Sequence, residues 1–223
     1  MGLLDQIYIL PILLFSVIIH EIAHGWMALR LGDPTARDLG RLTLNPVPHI
    51  DPIGSIVIPL MSLAVSGRVF IAWAKPVPVN PAYFKHHRRD DILVSVVGPL
   101  SNILMSFGCT VMFILVANLS RHVDLSSPMV DQAFQFFLKM FAGGITLNII
   151  LALFNMIPVP PLDGSHVLAS LLPPRLGAQY RKVGFFGIVA VLLLMRWQPF
   201  AIAFNDAIDT ASYPFGYLIH LFV

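Results

Sequence analysis

Cysteine is almost missing from the 223-residue sequence: Cys109 stands alone, so an intrachain disulfide is excluded and no oxidative staple holds the fold. Charge is scarce as well, at 12% of residues, and the formal balance of +2 is spread over several clusters. That pattern lacks the basic stripe a nucleic-acid partner requires, so none is expected. No basic segment precedes the first apolar run and no clear small-x-small cleavage site follows it, which reads as a retained helix rather than a signal peptide. Glutamate occurs once, as Glu21, inside that same apolar run.

What the sequence has in excess is hydrophobicity, 57% of residues with a mean hydropathy of +0.78. A soluble core needs no such surplus, and the expectation is an all-α polytopic membrane protein forming a single domain over residues 1–223, with the lipid bilayer as its surroundings. A hydrocarbon layer of about 30 Å takes about 20 helical residues to cross. Runs of that order cover residues 7–31, 91–119 and 129–157; a shorter one covers 183–196 and a more polar one 200–223.

Between residues 41 and 81 the pattern changes to a proline-rich segment with Leu-Thr-Leu alternation and an apolar stretch, 53–65, that is short for a crossing. Arg30, Arg37 and Arg41 follow the first run, Lys85, Arg88 and Arg89 precede the run at 91–119, and Arg175, Arg181 and Lys182 follow the one at 129–157. The positive-inside rule puts all three loops in the cytoplasm and the N-terminus outside. Residues 41–81 must then enter and leave by one face, as a re-entrant element or a pair of short crossings. Irregular backbone at that depth is tolerated where it lines a cavity.

Chemistry concentrates in "HEIAH", residues 20–24. Residues four apart on a helix differ by roughly 40° in direction, so His20 and His24 share a face and can grip one ion, while Glu21 points about 100° from His20. This is the H-E-x-x-H arrangement, with two imidazoles on Zn²⁺ and the glutamate as a base for water. Ionisable groups at bilayer depth cost about 3 kcal/mol each and persist where they pair or work; the competing reading is a buried Glu-His pair tying helices together. A catalytic zinc usually has three protein ligands. In "NMIPVPPLDGSHVL", Pro158, Pro160 and Pro161 open the backbone and deliver Asp163 beside a permissive glycine. Asp163 is the leading third ligand, with a helix-capping role as its alternative. His166, His49 and Asp51 compete less strongly. Asn102 and Asn155 put amides on apolar helices, to bind a substrate carbonyl or developing oxyanion, or to hold helices together. Gly98 permits close helix approach in either case.

His20-Glu21-x-x-His24, Gly98-Pro99-x-x-Asn102 and Asn155-x-x-Pro158-x-Pro160-x-Leu162-Asp163-Gly164 together resemble the motif set of the site-2 protease family of intramembrane zinc metalloproteases, peptidase family M50. The motifs span residues 20–164. The resemblance implies a three-helix catalytic core plus extra transmembrane helices and one zinc per chain on His20, His24 and Asp163. It implies Glu21 as general base, transmembrane protein substrates, a prokaryotic cell membrane and an active site open to the cytoplasm. It also implies a membrane-embedded β element, assigned to residues 41–50, where Leu42-Thr43-Leu44 would pair with an extended substrate. The sequence has no room for the PDZ or CBS domains of many relatives, so the compact form is the one it resembles. Two other classes compete: a zinc or proton carrier, which would show repeated halves that are not seen, and a zinc-bound pseudoprotease.

Overall fold

The computed structural model describes residues 8–52, 57 and 74–223. Helix α1 runs over Leu10–Arg30, started by a proline in its first turn whose fixed φ suits that position. It stops where Gly32 takes a φ of +107°, the Gly32 amide donating to Leu29 O and the Asp33 amide to Ala28 O. That pair of bonds satisfies carbonyls the helix would otherwise leave open, and Pro34 prevents its resumption. Beyond it, α2 (Thr35–Asp38) is a single turn.

Helix α3, His87–Ser120, has 34 residues and is about 50 Å long, more than a bilayer core requires. Helix α4 covers Pro128–Asn155. Short helices α5 (Asp163–Leu171) and α6 (Pro174–Arg181) follow, then α7 (Gly187–Arg196) and α8 (Gln198–Phe222). Among the described residues α3 is the hub, packing against α1, α4, α5 and α8. Ile12 of α1, Cys109 of α3 and Met140, Ile145 and Ile149 of α4 form the buried cluster, with Ile208, Phe215 and Ile219 of α8 against it. Gly144 makes this approach possible, since a Cβ there would lie 2.9 Å from both Cys109 Sγ and Ile12 Cγ2. On the far side of α3, Leu100, Leu104, Phe107, Val111 and Leu115 are exposed along one stripe, as suits contact with lipid.

Among the described residues three helices, α1, α3 and α4, are long and apolar enough to cross a membrane, and they match the runs read from the sequence. The two C-terminal runs behave differently. Helix α7 has only ten residues, about 15 Å, and meets α8 at 86°, so the pair passes as one broken span or a re-entrant turn rather than two crossings. The β element expected over residues 41–50 is not formed: these residues make bends and one 3₁₀ turn, Val47–His49. Local bonds explain it. Thr43 Oγ1 accepts from the Asn45 amide, Asn45 Oδ1 from the Val47 amide, and His49 Nε2 donates to Thr43 O, while Pro46 and Pro48 have no amide to give a ladder. The Leu42-Thr43-Leu44 edge is therefore not a free strand. Of the expected re-entrant segment, residues 53–56 and 58–73 lie outside the described residues. Its two ends meet, the Lys75 amide donating to His49 O at 2.9 Å and Arg41 to Lys75 O at 2.7 Å.

Candidate metal centre

One turn of α1 carries His20 and His24 on the face that meets α3, both buried. Close approach of α3 depends on Gly98, where a Cβ would fall 2.3 Å from His24 Nε2 and 2.8 Å from His20 Cε1. No larger residue leaves the imidazoles where they are. Both rings are oriented through Nδ1. That of His24 lies 2.6 Å from the Val94 carbonyl, an oxygen that only accepts, so in the neutral ring the proton is on Nδ1 and the Nε2 lone pair is free. That of His20 lies 2.6 Å from Asn102 Oδ1.

The carboxylate comes from the other side of the bundle. Helix α4 ends at Asn155, the chain turns through Pro158–Pro161, and Asp163 opens α5. Gly164 lets this turn close tightly, since a Cβ there would meet Met156 O at 2.2 Å. Tyr180 braces the turn from α6 by donating to Pro158 O, and burial raises the phenol pKa, keeping the donated proton in place. Gly187 at the start of α7 packs against Pro160 O. Asp163 makes no capping hydrogen bond for α5. Its Oδ2 instead stands 3.1 Å from His20 Nε2 and 3.3 Å from His24 Nε2, which are 3.0 Å from each other.

Three acceptor atoms thus converge with their protons placed elsewhere, and Asp163 Oδ2 is buried without a hydrogen-bond donor. Their mutual repulsion disappears when a cation sits among them. The donor set, two imidazole nitrogens and one carboxylate oxygen, is one that zinc accepts, with the remaining position left for water or substrate. Among the described residues this is the group able to hold a metal. His166, His49 and Asp51 are outside it: His166 lies 3.7 Å from Asp91, and His49 is bonded to Thr43 O.

Glu21 is anchored separately. Its Oε2 accepts from the Val77 amide at 2.7 Å, the one N–H between the donor-less Pro76 and Pro78 of a stretch without regular secondary structure. Asp33 fixes the end of that stretch by accepting from the Asn80 amide at 2.6 Å. The two asparagines differ. Asn102 is fully buried, its oxygen turned to His20 and its nitrogen 3.0 Å from Asn148 Oδ1, whereas Asn155 folds its amide back to Leu151 O at 3.0 Å. Asn148, also fully buried, is absent from the residues singled out by sequence. Its signal was an amide in an apolar run seven residues, two helical turns, before Asn155. Asp91 was also passed over. It accepts from Ser170 Oγ at 2.5 Å and Arg181 at 2.8 Å, clamping α5 and α6 to the start of α3.

Comparisons with known proteins bear on the family of the chain. YwhC of Bacillus subtilis (strain 168) is 37% identical over 84% of this chain and 79% of its own length. Rip2 of Mycolicibacterium smegmatis is 29% identical over 82% of this chain and 67% of its own. Each bears "zinc metalloprotease" in its name. No solved structure matches. The description Peptidase family M50 matches residues 8–195, so the chain belongs to peptidase family M50.

Proposed function

We propose that the chain hydrolyses peptide bonds within or beside transmembrane segments of other membrane proteins, with one zinc on His20, His24 and Asp163 and with Glu21 as general base. Membership of family M50, the similarity to two proteins named for zinc metalloprotease activity and the apolar helices make it an intramembrane zinc metalloprotease rather than a carrier. The observation that supports the site assignment is the convergence of three buried acceptor atoms from α1 and α5 within 3.0–3.3 Å. When bound, zinc supplies Lewis-acid chemistry, polarising a substrate carbonyl and making water acidic near pH 7.

The chain's own groups do the rest. Val77 holds one oxygen of Glu21, leaving the other to take a proton from water and return it to the leaving amine. Asn102 acts by orienting His20 rather than by touching substrate, since both its polar groups are engaged within the protein. Asn155, half-buried at the end of α4, is the remaining candidate for substrate contact. A substrate helix must unwind to expose a carbonyl, and the stretch 75–80 beside Glu21, biased to extended backbone by Pro76, Pro78 and the extended Asn80 before Pro81, gives it backbone of matching form to run along.

The basic loops after α1, before α3 and around α6 are gathered at one end of the bundle. Ala28, Phe84 and Val94 pack there, and Arg181 reaches Asp91. This supports an active site open to the cytoplasm and an N-terminus outside. The test is cleavage of a purified single-span protein by wild type and Glu21→Gln. Cleavage by wild type and its loss in the variant, with zinc retained, supports the assignment. Undiminished cleavage by the variant overturns it, and zinc flux in liposomes without proteolysis would point to a carrier.

A further inference from the structure

We propose that Asn148 is a positioning residue for the zinc site: acting through Asn102, it determines which nitrogen of His20 carries the proton. The inference rests on the zinc-site reading above and extends it to a third helix. The argument starts from the Gly144 carbonyl, which can only accept. Asn148 Nδ2 lies 2.9 Å from that oxygen and donates to it. The reverse assignment of the amide would set two acceptors against each other. Asn148 Oδ1 is thereby turned to α3, where Asn102 Nδ2 donates to it at 3.0 Å. Asn102 Oδ1 then faces His20 Nδ1 at 2.6 Å and requires its proton. The Nε2 lone pair is left toward Asp163 Oδ2, 3.1 Å away.

Direction therefore passes from a backbone carbonyl of α4, through two amides, to an imidazole of α1. Asn102 and Asn148 are both fully buried, so no solvent is at hand to replace a missing partner. His24 reaches the same end by a shorter route, its Nδ1 on the Val94 carbonyl. Cutting the chain at Asn148 frees Asn102 to turn over. His20 can then place its proton on Nε2, the wrong tautomer for a ligand. Outer partners of metal-bound histidines typically change metal affinity by about 10–100-fold.

Zinc affinity measured by chelator competition on the purified full chain tests this. Asn148→Leu, close in volume but without polar atoms, is expected to weaken binding by about 10–100-fold. Asn148→Asp, whose buried neutral acid can donate to Gly144 O and accept from Asn102, is expected to restore most of it. In an Asn102→Ala background, Asn148→Leu should cost nothing more, because the chain is already cut; simple helix packing would give an additive loss. Nitrogen-15 NMR of the metal-free protein should find wild-type His20 protonated on Nδ1, with Nε2–H gaining population in Asn148→Leu. Wild-type affinity in Asn148→Leu, additive losses, or Nε2–H in the wild type would overturn the inference. If Asn148→Leu does not fold, the wild-type tautomer decides alone. A wild type that binds no zinc would strike the proposed function instead, and the metal-free tautomer would still judge Asn148.

Discussion

In the proposed site His20, His24 and Asp163 have a job separable from that of Glu21, and single substitutions should divide metal binding from turnover. Asp163→Ala removes the only carboxylate of the triad and leaves two imidazoles, too few for a tight zinc site. Less than one zinc per chain should remain after dialysis, by metal analysis. Glu21→Gln keeps the shape and the three ligands but cannot accept a proton, so zinc content should stay at wild type while turnover falls by about 10²–10⁴. At this scale the sequence was most informative. A lone glutamate between two histidines in an apolar run has few uses, and proline-driven opening of the chain at Asp163 was visible in the letters. Asn102 was legible as a polar residue but not in its partners, because an amide on an apolar helix looks the same whether it meets substrate, His20 or Asn148.

Helices α3 and α5 decide whether those residues meet. Gly98→Ala would push a methyl into His24, 2.3 Å from Nε2, and the helix pair must spread or the ring must turn. We expect a stability loss of about 1–3 kcal/mol by thermal unfolding and weaker zinc binding. Asp91→Ala should release α5 and α6 from α3, lowering stability by about 1–3 kcal/mol for the hydrogen bonds lost from Ser170 and Arg181. Asp91→Asn, which keeps an acceptor, should be milder. Spans α1, α3 and α4 were readable because apolar length and the bilayer thickness fix one another. The strand at 41–50 was misread. The resemblance implied it, but Thr43, Asn45 and His49 satisfy the backbone locally and two prolines withhold donors.

Across the whole molecule, the end of α1, the start of α3 and the arginine-bearing α6 come together, while the turn between α3 and α4 lies at the opposite end. Cysteine labelling tests the proposed orientation with little background, since Cys109 is buried. A cysteine at Leu39, which is exposed, should react with an impermeant reagent only from the cytoplasmic side, and one at Ser126 only from outside. Composition showed a membrane protein at once. How α7 and α8 sit was beyond its reach, because the 86° break at Trp197 is set by packing of α7 on the proline turn and of α8 on α3 and α4.

X-ray absorption at the zinc edge of the purified protein addresses the central claim most directly. One zinc per chain is expected, with two imidazole nitrogens at about 2.0–2.1 Å and carboxylate or water oxygen at about 2.0–2.2 Å, and with the signal changed by Asp163→Ala. A zinc environment that Asp163→Ala leaves untouched, or one without two imidazoles, would contradict the account.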